Sequence, residues 1–362
     1  MSTWYTPSRF LMALVNRLFG HGRGVITVRY PLYGTDLFTV DPSFKVRNST
    51  SKQKFYEARS AATSWNPEMI SEAPEWNHVI DCFASSGAVK PQNLAEFAAW
   101  AGRTLQDRHR PELAARPFFL AIDTNVAYNR LFTRHFPIDG PNGPLRAPDF
   151  KFLLCEAVRR EVDVQIKRKY RGELNQLFTR PEQEPILREI GGRNVLVARR
   201  AKLAQNEVDH LDKTLNALSV PCADFPSDKE DRDILIAKAY GTFSQEKNVD
   251  IALLTMDQNM VDHAKNAQIM CFSFKVPGAP ELQGVDLHYS LWHLLHDLAV
   301  VLGVVVIEPF GTWVYGEWPG KTTADYGAER VEIILDGKTP IAKDVIRDFQ
   351  MCAKVLGASI TA

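Results

Sequence analysis

The chain has 362 residues, of which 45% are hydrophobic and 24% are charged. This length and composition exclude a disordered or fibrous protein and predict two or three folded domains. The 43 Lys and Arg residues balance 43 Asp and Glu residues, so net charge gives no general attraction to nucleic acid. Any basic surface must be local, and we expect it within residues 151–205, where basic residues outnumber acidic ones.

The cysteine spacing and the longest apolar run indicate the cellular compartment in which the protein is expected. The five cysteines are widely spaced without a C-x-x-C pair, which favours neither a disulfide framework nor a zinc site. The run Leu298–Ile307 is half the length of a bilayer span. We therefore expect a cytoplasmic protein without a membrane partner. The Arg-bearing segment 8–24 could pass for an organellar targeting peptide, but its apolar stripe favours an ordinary amphipathic helix.

The N-terminal part, residues 1–110, is predicted to be an α+β region. Strands are expected at Val25–Tyr30 and Leu37–Val40, followed by the polar stretch Arg47–Lys54. A helix is expected at Pro91–Arg110. This part carries no motif that identifies its role.

From Pro117 the predicted strands and helices alternate. In chain order they are the strand Phe118–Ile122, the helix Asp149–Tyr170, the helix Asp233–Tyr240, the strand Asp250–Thr255, the helix Gln258–Asn266 and the strand Ile269–Phe274. This alternation predicts an α/β fold, a parallel sheet with helices on both faces. In such sheets the reactive groups lie at the carboxyl ends of the strands.

A second α+β region is predicted at residues 285–362, after the linker Pro277–Gly284. Its elements are expected to be a helix at Leu287–Leu302, strands at Val304–Ile307, Thr312–Trp318 and Arg330–Leu335, and a helix at Pro340–Leu356. The fold expected for the whole chain is therefore a central α/β domain with α+β extensions at both ends.

Five acidic residues in the central part are candidates for chemistry. Asp123 and Asp257 each end an apolar strand, while Glu161 borders the apolar stripe of its helix. Asp231 and Asp233 lie at the start of the next predicted helix. Each position alone has an ordinary explanation, such as a helix cap, a solvated carboxylate or a favourable helix-dipole interaction.

Together these acids follow one order: strand-D-T-N, helix V-x-x-E-V, helix D-x-D-I-L-I-A and strand-T-x-D-x-N. This order resembles the PIN-domain nucleases over residues 117–276. The resemblance implies that Asp123, Glu161, Asp233 and Asp257 are catalytic and bind Mg²⁺ or Mn²⁺. It also implies the supporting residues Asn125, Thr255, Asp231 and Asn259. The stretch 172–226 is longer than the compact family pattern needs and is interpreted as a basic insertion.

The chemistry of clustered carboxylates agrees with that implication. Like charges in a small space repel, and a hard divalent cation with oxygen ligands relieves the repulsion. Such a cation activates water for hydrolysis of a phosphodiester. The resemblance implies an endoribonuclease acting on single-stranded RNA. Basic residues expected on the same helix as Glu161 would bind the nucleic acid backbone: Arg159, Arg160, Lys167, Arg168, Lys169 and Arg171.

Several alternatives stay open. The central domain could be a structure-specific DNA nuclease or a non-catalytic scaffold that binds RNA or protein, although the four filled acid positions argue against a scaffold. A toxin ribonuclease fits poorly, because such chains are little more than the bare domain. His288, His293 and His296 could bind metal, and Trp313, Tyr315 and Trp318 could stack on bases, but packing is the more frequent role of both groups. Assembly into a homo-oligomer is also left open.

Overall fold

The computed structural model describes residues 2–20, 24–63, 72–108, 116–141, 143–170, 177–178, 180–190, 194–222, 226, 228–278, 280–335 and 340–356. The chain forms two compact units. Unit 1 comprises Met1–Val89, Arg168–Arg200 and Ala279–Ala362, and unit 2 comprises Lys90–Lys167 and Ala201–Gly278. Each unit is therefore built from separate segments of the chain.

The strands and helices of the described residues are numbered in chain order. The strands are β1 (Ser2–Pro7), β2 (Ile26–Tyr30), β3 (Thr35–Val40), β4 (Val46–Ser49), β5 (Phe118–Ile122), β6 (Ile138–Gly140), β7 (Gly143–Leu145), β8 (Phe152–Cys155), β9 (Leu218–Val220), β10 (Asp250–Thr255), β11 (Met270–Ser273), β12 (Val304–Glu308), β13 (Thr312–Tyr315) and β14 (Arg330–Leu335).

The helices are α1 (Leu11–Leu18), α2 (Lys52–Ala62), α3 (Trp76–Ser85), α4 (Leu94–Arg108), α5 (Thr124–Tyr128), α6 (Leu131–Arg134), α7 (Glu156–Ile166), α8 (Gln183–Ile190), α9 (Leu196–Asp209), α10 (Lys229–Lys247), α11 (Gln258–Asn266), α12 (Leu291–Leu302), α13 (Thr323–Gly327) and α14 (Pro340–Leu356). Within the described residues, no helix is long and apolar enough to cross a bilayer.

Unit 1 contains a seven-stranded antiparallel sheet with the order β1-β14-β13-β12-β2-β3-β4. The first and last strands of the chain are hydrogen-bonded neighbours, with Ser2 opposite Leu335. Strands from residues 1–110 and 285–362, which the sequence suggested as separate regions, therefore complete one sheet. The helix α12 packs in this unit, and all its residues from Leu294 to Leu302 are buried.

Unit 2 contains a five-stranded parallel sheet with the order β11-β10-β5-β8-β9. The predicted α/β class with a parallel sheet is confirmed. In chain order these strands are β5, β8, β9, β10 and β11, so the sheet grows in one direction from β5 and then in the other from β10. The carboxyl ends of β5 and β10 lie side by side where this direction reverses, and ligands bind at such a switch point in open α/β sheets.

Element bounds separate the predictions that hold from those that do not. The strands Phe118–Ile122, Asp250–Thr255 and Arg330–Leu335 and the helices Gln258–Asn266 and Pro340–Leu356 are confirmed. The helix predicted at Asp149–Tyr170 is wrong in extent, because its first part forms β8 and α7 ends at Ile166. Four consecutive apolar residues (FLLC) run directly into a helical pattern there, so the sequence shows no boundary.

The stretch 172–226 is not an insertion in unit 2. Residues up to Arg200 belong to unit 1, while the following residues supply most of α9 and the edge strand β9 of the parallel sheet. A strand of three residues is too short to show a periodic pattern in sequence. The next helix, α10, begins at Lys229, capped by Asp228, whose side chain accepts hydrogen bonds from backbone N–H groups.

Tyr240 fixes α10 to the sheet of unit 2. Its side chain is fully buried, and its hydroxyl donates to the carbonyl of Ile122 (2.9 Å) and accepts from the backbone N–H of Cys155 (2.9 Å). One hydroxyl thus satisfies backbone groups at the carboxyl ends of the neighbouring strands β5 and β8. Because buried backbone groups are costly to leave unpaired, this contact sets the position of α10 at that edge.

We predict that Tyr240→Phe destabilises this edge by about 1–3 kcal/mol, because two buried backbone groups lose their partner. Amide hydrogen exchange should show faster exchange at Cys155 and along β5. Tyr289→Phe is the matched control, since Tyr289 is 86% exposed, and it should leave both unchanged. Unchanged protection in Tyr240→Phe would contradict the role given to the hydroxyl.

Candidate functional site

Asp123 occupies the carboxyl end of β5. It is 1% exposed and caps α5, with Oδ1 accepting from the N–H of Val126 (2.9 Å). Its Oδ2 accepts from the hydroxyl of Thr255 (2.5 Å) and lies 3.5 Å from Nδ2 of Asn125. The pKa of Asp123 is raised from 3.8 to about 6, chiefly by burial and to a smaller extent by the Asp233 carboxylate, although these hydrogen bonds lower it. Asp123 is therefore a carboxyl group poised near neutral pH.

Thr255 connects the ends of β5 and β10. It is the last residue of β10 and is fully buried. Its hydroxyl oxygen accepts from the N–H of Asp257 (2.9 Å) while donating to Asp123. Asp257 in turn caps α11, accepting from the N–H of Asn259 (3.0 Å), and is half-buried. Asp123, Thr255 and Asp257 thus form one linked set at the switch point.

Glu161 lies on α7, next to the buried Val162, and its partners come from two other helices. Thr124, the first residue of α5, donates its hydroxyl to Oε2 of Glu161 (2.6 Å). Arg232 of α10 lies 3.5 Å from Oε1, and both side chains are only 15% exposed. The hydrogen bond links Glu161 to the residue that follows Asp123, and the ion pair links it to α10.

Asp233 lies in the second turn of α10 and is half-buried. It precedes Tyr240 by seven residues, two helical turns, so both occupy the face directed at the sheet. Its effect on the pKa of Asp123 places the two carboxylates within electrostatic range. Asp231, in contrast, is exposed in the first turn. The helix begins earlier than the sequence indicated, which is why Asp233 lies beyond its opening turn.

Asp123, Glu161, Asp233 and Asp257 lie at one edge of the sheet but do not form a complete set of metal ligands. Among the described residues, no group of three or more His, Cys, Asp or Glu side chains could hold a metal ion as arranged. The chemistry of the donors nevertheless fits a hard divalent cation, since all are carboxylate oxygens. The buried Asp123 faces both desolvation and the Asp233 charge, and a bound cation would relieve both.

The basic residues predicted on the helix of Glu161 do not form one group, because α7 ends at Ile166. On this helix, Arg159 pairs with Asp212 (2.8 Å) and Arg160 with Glu156 (3.3 Å). Lys167 is the exposed residue that caps the end of the helix. The remaining three lie elsewhere: Arg168 and Lys169 belong to unit 1, where Lys169 donates to Asn194, and Arg171 lies outside the described residues.

Most of the histidines and aromatic residues considered in the C-terminal part make packing contacts in unit 1. His296 is buried, with Nδ1 2.9 Å from Asp297, while the ring of His293 lies against Trp292. Trp313 and Tyr315 stack on each other along β13, and Trp318 is buried. These contacts agree with the packing alternative, whereas His288 is exposed.

Two residues of the site, Arg232 and Thr124, were not predicted from the sequence. Arg232 lies between Asp231 and Asp233 in the sequence. An arginine flanked by two acids could have been recognised as a candidate site residue. Thr124 directly follows Asp123 in the chain, and its hydroxyl donates to Glu161. No sequence pattern reports that contact, since the two residues are 37 positions apart.

Comparisons with known proteins leave this chain without an assigned family. No protein-family model matches it. No curated protein matches it either. Among solved structures, one similar chain is a domain of a functionally unknown protein from Methanocaldococcus jannaschii DSM 2661, with 16% sequence identity and a TM-score of 0.27. That match covers 47% of this chain and 97% of the other, and at this TM-score it carries no argument.

We predict that Asp123→Asn stabilises unit 2 at neutral pH. Because the folded pKa of Asp123 is raised from 3.8 to about 6, the stability gained from its protonation is complete below pH 3.8 and lost as pH rises through about 6. The neutral asparagine avoids this loss, which amounts to about 3 kcal/mol for a fully buried carboxyl. The amide of the introduced asparagine can donate to the hydroxyl oxygen of Thr255. That hydroxyl can in turn donate to the carbonyl oxygen of Asp257, which lies 3.2 Å away.

Amide hydrogen exchange of β5 and β10, measured in wild type and variant at pH 5 and pH 8, tests this prediction. The variant should gain protection relative to wild type as pH rises. The control is Asp262→Asn, at an exposed position. Its amide protection relative to wild type should be the same at both pH values. A variant that loses protection at pH 8 would show that ionised Asp123 stabilises the fold.

Proposed function

We propose that unit 2 is a PIN-like, metal-dependent nuclease that hydrolyses phosphodiester bonds within single-stranded RNA. The supporting observation is the buried Asp123 at the switch point of the parallel sheet, joined through Thr255 to the backbone of Asp257. A buried carboxyl group with a raised pKa at such an edge is typical of a functional site. The preference for RNA rests on the sequence resemblance.

The proposed metal site is formed by Asp123, Glu161, Asp233 and Asp257, which would hold Mg²⁺ or Mn²⁺. A cation bound there would lower the pKa of an attacking water and neutralise charge on the scissile phosphate. The hydrogen bonds from Val126 and Thr255 orient the Asp123 carboxylate towards this role. We place the protein in the cytoplasm, where its five free cysteines stay reduced.

Arg232 has a proposed part in the resting site. Its guanidinium offsets the charge of Glu161, so the acids can share one edge before a cation arrives. With a cation on Glu161, the planar guanidinium of Arg232 would suit contact with a phosphate oxygen. Arg232 is thus a positioning residue for Glu161 and a candidate contact to substrate.

The full chain should cleave an unstructured, end-labelled RNA with Mg²⁺ or Mn²⁺ and not with EDTA. Asp123→Asn and Asp257→Asn should each slow cleavage by at least about a hundredfold, because a lost metal ligand costs several kcal/mol of transition-state stabilisation. Asparagine still caps a helix, so Asp257→Asn should keep α11 intact. The readout is the rate of appearance of shorter labelled fragments.

Asp262→Asn is the matched control for this assay. Asp262 lies on α11, the helix that Asp257 caps, and its side chain is exposed. The Asp262→Asn variant should therefore cleave RNA at the wild-type rate. Full activity in Asp123→Asn would show that the site is wrong. Cleavage of flap DNA without cleavage of RNA would assign a DNA nuclease instead, and no cleavage with any metal would favour a non-catalytic binding protein.

A further inference from the structure

A groove of about 560 Å³ lies between α10 and α11 of unit 2. Its volume is within the range of about 300–1,000 Å³ that small-molecule sites occupy. At one point the two helices touch closely: a Cβ atom added to Gly241 would lie 2.6 Å from the carbonyl oxygen of Ala267. The groove is therefore bounded by helix backbone there and open along the rest of its length.

One end of this groove lies near the candidate site. Its α10 wall contains Ile234, Lys238 and Gln245, a stripe with helical spacing, and Ile234 directly follows Asp233. Its α11 wall contains His263 and Asn266. Both helices connect parallel strands and run from the carboxyl edge of the sheet towards its amino edge, so Gln245 and Asn266 lie at the end of the groove that is farther from the acids.

The chemistry of the groove suits a sugar-phosphate chain. Its nine described lining residues include Lys238 and His263 but no Asp or Glu, in contrast to the acidic edge where it starts. Gln245, Asn266 and other neutral polar residues can donate hydrogen bonds to phosphate or ribose oxygens. Ile234 is 44% exposed and offers an apolar surface for a base.

We propose that this groove binds the nucleotides of a single-stranded RNA that lead away from the scissile phosphate, with Lys238 contacting a phosphate group. The proposal rests on the nuclease function proposed above and adds the path of its substrate. The acidic edge would carry the reacting phosphate, and the acid-free groove would hold the adjacent backbone without repelling it.

Binding can be measured separately from cleavage. The full chain is titrated into a fluorescein-labelled eight-nucleotide RNA in EDTA, and anisotropy is followed over a range of salt concentrations. We expect Lys238→Ala to weaken binding about five- to tenfold and to reduce the slope of log Kd against log salt by about 0.7, the value for one lost phosphate contact on a single strand. Gln245→Glu, which adds a negative charge to the groove at an exposed position, should weaken binding as well.

Lys247→Ala is the matched control. Lys247 is exposed on the same helix, nine residues beyond Lys238 and therefore about 180° around it. Its variant should bind with wild-type affinity and salt slope. Wild-type binding in Lys238→Ala and Gln245→Glu, or no RNA binding by the wild type, would overturn the groove proposal.

The two proposals fail differently. If Lys238→Ala binds RNA weakly but the wild type cleaves nothing with any metal, the groove stands and the nuclease function fails. If cleavage requires metal and Asp123 while Lys238→Ala binds normally, the nuclease stands and the groove fails.

Discussion

The hydrogen bond from Thr255 to Asp123 is the interaction on which the candidate site depends. It joins the carboxyl ends of two strands that are far apart in sequence, and it lies in surroundings where neither side chain contacts water. A buried carboxyl group without such donors would be too costly to keep at this position. With them, the acid is retained at a free-energy cost that depends on pH, and its neighbours are positioned around it: α5 through the cap, Asp257 through its N–H, and Glu161 through Thr124.

The sequence predicted the parts of this arrangement that are encoded locally. An apolar run ended by an acid gave the bounds of β5 and β10, and the spacing of apolar residues gave α11. The parallel sheet of unit 2 followed from the alternation of these elements. Asp123 and Asp257 could therefore be placed at strand ends before the structure was known, because strand ends are visible in a hydrophobic pattern.

The remaining features depend on contacts between elements that no local pattern reports. Glu161 looks like any solvated helix carboxylate until Thr124 and Arg232 are seen beside it. The strand β8 was hidden because its apolar residues continue into the stripe of α7, and β9 was too short to detect. The sheet of unit 1 was divided between two predicted regions, since nothing in either end of the chain indicates that β1 pairs with β14.

That pairing has a consequence for the order in which the molecule can be made. All of unit 2 has been synthesised once residue 278 is in place, whereas β14 is translated later. At about 5–20 residues per second, β1 waits on the order of tens of seconds for its neighbour. Unit 2 can complete its core during that interval while Ser2–Pro7 has an unpaired edge. The nascent chain is thus exposed to mispairing at β1 until β14 has been made.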